Sequence, residues 1–294
     1  MSRLITWGAA ALMALAANAA LTQDTTDDKC LSPAQVRDND VARNAGAMGE
    51  GICISQLEIE ENGLAWRFTV AENTTHAKGP TIFLLHDNEQ VSFDTALYGI
   101  RKYGGKLVAV EAADSREFKG QDPNRNFGTT AAATAPCSQM RRKPAPIFTE
   151  VLMDLQARQP GFILTLHNNA NGYSGNGGSG GISAARQSAV LKGMMAPNGG
   201  DEDDAILLAG TKPFDQNNEA RKTVAKLHKQ GVNVIYEHVR PDRNDCSFSN
   251  YVVLNNLGTY YNIEAQHGHG AQQKRMLDIL MGLERVRVRD KRVQ

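Results

Sequence analysis

Residues Thr81 to Glu89 hold a short apolar run, Thr81-Ile82-Phe83-Leu84-Leu85, that stops abruptly at His86-Asp87-Asn88-Glu89. A run of this length, bounded by Gly79-Pro80 and by polar residues, has the signature of a strand covered on both faces. Strands of that kind belong to largely parallel sheets, whose ligands gather beyond the carboxyl ends. The arrangement recurs twice: Phe162 to Leu166 runs into His167, and Tyr260 to Ile263 runs into Glu264. Three strand ends thus supply two imidazoles and two carboxylates, enough to hold a zinc ion with an open position and leave one carboxylate as a base.

The rest of the chain places limits around that centre. Its 32 basic and 32 acidic residues cancel, which leaves no electrostatic footprint for a nucleic-acid partner. Residues 1–19 carry Arg3, an alanine- and leucine-rich core and Ala17-Asn18-Ala19, the layout of a cleaved secretory signal peptide. The apolar core is too short to span a bilayer comfortably, so a secreted or periplasmic protein without stable membrane insertion is expected. Cys30, Cys53, Cys137 and Cys246 make an even set, and in an exported chain they predict two disulfides. Three pairings are open. Cys30 with Cys53 would tie down the mature N-terminus, and Cys137 with Cys246 would join two long loops.

Read in order, residues 20–50 form a polar, irregular N-terminal segment, and 51–294 form the main domain. Alternating residues on either side of Glu61-Asn62-Gly63 predict a β-hairpin with a tight turn. Val91 to Tyr103 predicts a helix stopped by Gly104-Gly105, followed by an apolar strand over Lys106 to Glu111. Asp114 to Met140 is a long loop of little periodicity carrying Arg116 and Asp122-Pro123-Asn124-Arg125. Helices are expected over Ile147 to Ala157, over Asp215 to Gln230 with Asp215 as cap, and over Ala271 to Leu283. His228 falls on the exposed face of the second of these, and Val232 to Tyr236 is the next strand. Helices alternating with strands after an early hairpin give α/β: a mixed, mostly parallel twisted sheet flanked by helices.

Four elements in order, His86-x-x-Glu89, Asp122-x-Asn124-Arg125, His167 and Glu264, resemble the zinc carboxypeptidase superfamily, including its aspartoacylase and succinylglutamate desuccinylase branch. The resemblance covers roughly Thr81 to His267. It implies that His86, Glu89 and His167 hold zinc and that Glu264 is the catalytic base. It further implies that Asp122 orients the first histidine, that Asn124 and Arg125 grip a substrate carboxylate, and that Arg116 stabilises a developing oxyanion. The interval from Glu89 to His167 is shorter than in the large digestive carboxypeptidases, Pro123 replaces a small or apolar residue, and their substrate-capping tyrosine has no clear match.

His238, which ends another apolar strand beside Glu237, and His267-Gly268-His269 are the competing metal ligands. The expected activity is zinc-dependent hydrolysis of an amide bond next to a substrate carboxylate, with peptides or peptidoglycan stem-peptide fragments as partners. The alternatives are a deacylase of small N-acyl amino acids and, from another class, a binding protein that keeps the fold without chemistry. A binding protein has no need of a base at Glu264.

Overall fold

The computed structural model describes residues 30–139, 143–156, 161–170, 182–183 and 204–286. The expected signal peptide, residues 1–19, and most of the asparagine- and glycine-rich run after Asn168 therefore lie outside the described residues. Nine strands occur in the described part: β1 Ile52–Glu61, β2 Leu64–Asn73, β3 Thr81–Leu84, β4 Lys106–Glu111, β5 Phe162–Asn169, β6 Ile182–Ser183, β7 Ala205–Gly210, β8 Asn233–His238 and β9 Thr259–Gln266. They form one sheet in the order β1-β2-β4-β3-β5-β9-β7-β8-β6. The central pairs β4–β3, β3–β5 and β5–β9 are parallel. The β1–β2 hairpin adds antiparallel to β4, and the parallel pair β7–β8 runs antiparallel to β9. The sheet is therefore mixed, as expected.

The apolar runs are continuous because both faces of the central sheet are covered. Ile82 and Leu84 enter one core with helix residues such as Phe93, Ile100, Leu277 and Leu280, whereas Phe83 and Leu85 enter the other. That second core is aromatic: Phe127 stacks on Phe248 at 4.5 Å between centroids, and Trp66 meets Phe148 edge-on at 4.9 Å. Each buried phenylalanine of this kind contributes about 2–3 kcal/mol by removal from water.

Among the described residues the α-helices are α1 Asn39–Arg43, α2 Ala45–Met48, α3 Gln90–Tyr103, α4 Ala131–Thr134, α5 Pro146–Gln156, α6 Asn218–Lys229, α7 Phe248–Leu254 and α8 Gly270–Leu283. Helix α3 ends where Gly104 takes φ +81°, and a Cβ there would collide with His76. The hairpin turns at Asn62 (φ 57°) and Gly63 (φ 78°), the left-handed conformations that Asn-Gly supplies cheaply. Both disulfides join the expected cysteines, Cys30 with Cys53 and Cys137 with Cys246. Their formation fits a chain that matures outside a reducing compartment. Among the described residues, no helix is long and apolar enough to cross a membrane.

Three local expectations need correction. Past Cys30 the N-terminal segment is not irregular: Asp38 caps α1 by accepting from the Val41 amide at 3.0 Å, and Val41 and Met48 are buried. Helix α6 begins at Asn218 because Asn217, not Asp215, accepts from the Ala220 amide, and Asp215 lies in the 3-10 turn before it. His228 is buried rather than exposed, and the loss of hydration lowers its pKa.

Candidate metal centre and cleft

The parallel register aligns the functional strand ends. His167 of β5 lies directly beside Glu264 of β9, and β7 begins alongside at Ala205. His86 follows β3, separated from it only by Leu85, and Glu89 sits at the N-cap position of α3. Glu89 does not cap its own helix. Its carboxylate turns inward, and Asn168 from the end of β5 accepts from the Ser92 amide at 3.0 Å instead. The free amides of a helix N-terminus favour a carboxylate at that place.

His86 Nδ1, His167 Nδ1 and the Glu89 carboxylate converge on one point. The two nitrogens are 3.1 Å apart, and each is 2.9 Å from a different Glu89 oxygen. On its outer side His86 Nε2 is 2.9 Å from Asp122 Oδ1. With the ring proton on Nε2, donated to Asp122, Nδ1 carries a lone pair directed at the convergence point. Lone-pair nitrogens and carboxylate oxygens packed this closely repel one another unless a cation lies among them, and all three side chains are buried. They form a His-Glu-His group that could hold a metal ion, one of two candidate groups among the described residues, the other being three aspartates.

Local electrostatics match that role. Burial alone would raise Glu89 and Asp122. For Glu89 the effect is outweighed by His167 and His86, which hold its carboxyl well below the usual range. For Asp122 the bond and charge of His86, followed by Arg125 and Arg116, hold the carboxyl at about 2. His86 is raised: burial works against its protonated form, but Glu89 and Asp122 dominate. Glu264, half-buried and accepting from Asn262 Nδ2 at 3.0 Å, is pushed up by burial and by the charge of Glu89.

The centre opens into a cleft of about 500 Å³ lined by His86, Glu89, His167, Glu264 and also by Arg116, Asn124 and Arg125. The structure thus brings every expected metal, base and substrate residue to one place. Arg116, about half exposed, lies 3.6 Å from Glu89 and 3.5 Å from Asp122. Arg125 does not pair with Asp122; it faces Asp245 at 3.5 Å and donates to the Asn124 carbonyl at 2.8 Å. Asn124 gives its side-chain oxygen to the Phe248 amide, which leaves its Nδ2 hydrogens to offer a ligand.

The competing histidines separate cleanly. His238 meets the Thr211 carbonyl and His269 pairs with Asp204, while His267 reaches only the exposed rim of the cleft. Sequence reasoning missed the far wall, made by Glu237, Asp245, Ser247 and Ser249. Glu237 is buried, and desolvation followed by the charge of Asp245 pushes its carboxyl up to about 8. An acid at the end of the apolar run Val232 to Tyr236 was the available signal. Tyr260 also lines the cleft, but its hydroxyl is engaged with Thr165 at 2.7 Å.

No family model matches the sequence, and none of the curated proteins searched matches it. Solved structures of similar fold include a provisionally assigned metallopeptidase of Shewanella amazonensis, at 11% identity and TM-score 0.43, covering 83% of this chain and 89% of that one. An aspartoacylase family protein of Mesorhizobium loti is 14% identical at TM-score 0.43, over 83% and 70% of the two chains. A metallo-carboxypeptidase of Burkholderia cenocepacia is 10% identical at TM-score 0.40, over 82% and 67%. The functional reading rests on the cleft itself.

Proposed function

We propose that this chain is an exported zinc-dependent hydrolase that cleaves an amide bond beside a substrate carboxylate. The observation that carries the reading is the convergence of His86 Nδ1, His167 Nδ1 and Glu89 in a cleft that Glu264 also lines. Ligand atoms about 2.0–2.1 Å from a tetrahedral zinc ion stand roughly 3.3 Å apart, close to the 2.9 and 3.1 Å separations here. Two imidazoles and one carboxylate are also the donor set of hydrolytic zinc sites that keep a position open. When bound, zinc acidifies water and polarises a carbonyl.

The chain's own residues supply the other steps. Glu264 takes a proton from the attacking water and returns it to the departing amine, so the carboxylate ends the cycle as it began. The guanidinium of Arg116, half-exposed beside Glu89 and Asp122, faces the cleft where negative charge grows on the carbonyl oxygen. Arg125 and the Asn124 amide hold the substrate's carboxylate, a task suited to a planar fork of donors. Asp245 beside Arg125 gives the far wall both signs of charge, which suits a segment carrying a carboxylate and an ammonium together. Peptidoglycan stem peptides have that character, and an exported enzyme would meet them.

The test is mass spectrometry of peptidoglycan fragments, ordinary peptides and small N-acyl amino acids after incubation with zinc-loaded protein, with Glu264→Gln as control. The expected result is a cleaved stem peptide with the active protein and a loss of at least about 10³-fold in the variant, with zinc content unchanged. Equal turnover by Glu264→Gln would remove the base. Cleavage confined to N-acyl amino acids would assign the deacylase reading.

A further inference from the structure

A second buried ligand set lies behind the loop that carries the zinc group. Asp38, Asp40 and Asp87 are each about 95% buried, and each offers an oxygen within 4.8 Å of both others. Every one commits a single oxygen to a donor. Asp38 Oδ1 accepts from the Val41 amide at 3.0 Å, and Asp40 Oδ1 from Arg43 at 2.7 Å. Asp87 Oδ2 accepts from the Ala112 and Asp114 amides at 2.9 and 2.7 Å. Asp38 Oδ2 is fully enclosed and has no partner at all.

The negative charge there is not matched by the protein. Arg43 is shared between Asp40 and Asp114, which leaves Asp38 and Asp87 without a contacting cation among the described residues. Glu111, at the end of β4, adds a further buried and unpartnered oxygen, Oε2. Burial, followed by the charges of Asp87 and Asp38, pushes Glu111 up to about 7, and burial raises Asp40 to about 6 despite Arg43. Buried carboxylates of this density are stable when they coordinate a metal or become protonated.

We infer that Asp38, Asp40 and Asp87 form a binding site for a calcium-sized divalent cation, which clamps α1 to the loop between β3 and α3. The donors are all carboxylate oxygens, the choice of hard cations, whereas the cleft offers imidazole nitrogens. Oxygens about 2.4 Å from one calcium ion can lie up to roughly 4.8 Å apart, the span seen here. Asp87 directly follows the zinc ligand His86, so the clamp would fix the backbone that presents His86 and Glu89. The inference does not depend on the reaction proposed for the cleft.

The test is calorimetric titration and thermal unfolding of the mature, zinc-loaded protein with CaCl2, beside Asp38→Asn. Asparagine keeps the α1 cap, so the variant removes charge without removing the helix stop. Expected are saturable binding with a midpoint of about 0.1–1 mM, as in extracellular calcium sites, and a Tm rise of about 3–5 °C, both lost in Asp38→Asn. No saturable heat and no Tm shift at about 10 mM CaCl2, or the same shift in Asp38→Asn, would overturn the site. Asp40→Asn, judged by the same two readouts, decides the matter if Asp38→Asn does not fold.

Discussion

The two walls of the cleft treat their carboxyl groups in opposite ways. On the metal side, Glu89 is buried and Asp122 largely so, yet imidazoles and, for Asp122, arginines hold both ionised. On the far side, Glu237 lies against Asp245 with Arg125 as the nearest cation, and it keeps its proton up to about pH 8. The difference shows what each wall is arranged to meet. Ionised ligands around bare nitrogens wait for a cation, whereas a protonated glutamic acid beside an aspartate and an arginine offers hydrogen bonds to a polar substrate.

Removing a ligand should have the largest effect on this contrast. His86→Ala or His167→Ala should lose metal by a factor of about 10³ or more, read as zinc content after dialysis; full stoichiometry in both would break the ligand set. Asp122→Asn should be milder. It keeps an oxygen near His86 Nε2 but loses the charge that fixes the ring, so metal affinity should fall about 10–100-fold in competition with a chelating dye. An unchanged affinity would show that the ring is held by packing alone.

On the far wall, Arg125→Ala should raise KM about 10–100-fold for substrates with a free carboxylate and spare their amidated forms. An equal loss on both would reduce Arg125 to a partner of Asp245. Glu237→Gln should have the smallest effect, and it is read in stability. The folded protein holds the Glu237 proton to about pH 8 while the unfolded chain releases it near 4.5, so the unfolded state binds fewer protons between these values. Stability should therefore fall as pH rises through that window, and Glu237→Gln should flatten the decline. A decline of the same slope in the variant would place its cause elsewhere.

The legibility of the chain follows the range of the forces involved. The Asn62-Gly63 turn, the stop of α3 at Gly104 and the strands that lead to His86, His167 and Glu264 are set by short stretches readable from their neighbours, although β5 and β9 run two residues further, to Asn169 and Gln266. The helix start at Asn218 was misplaced because Asp215 and Asn217 both cap well, and only the 3-10 turn favours the second. His228 was misjudged because the burial of a helix face depends on what packs against it. The far wall was hidden because Asp245 and Glu237 meet only where the loop after β8 folds back under α7, where Asn250 bonds to both.

The sequence alone determined that His86, His167 and Glu264 would meet near the carboxyl ends of neighbouring strands, because a buried apolar run fixes where the polar residue that follows it ends up. Tertiary structure decided everything that depends on charges meeting across the chain. Arg125 faces Asp245 rather than Asp122, Glu237 stays protonated, and Asp87 turns to Asp38 and Asp40 while its neighbour His86 turns to Glu89 and His167. Electrostatic energies depend on distance and burial, and neither is written in the order of residues.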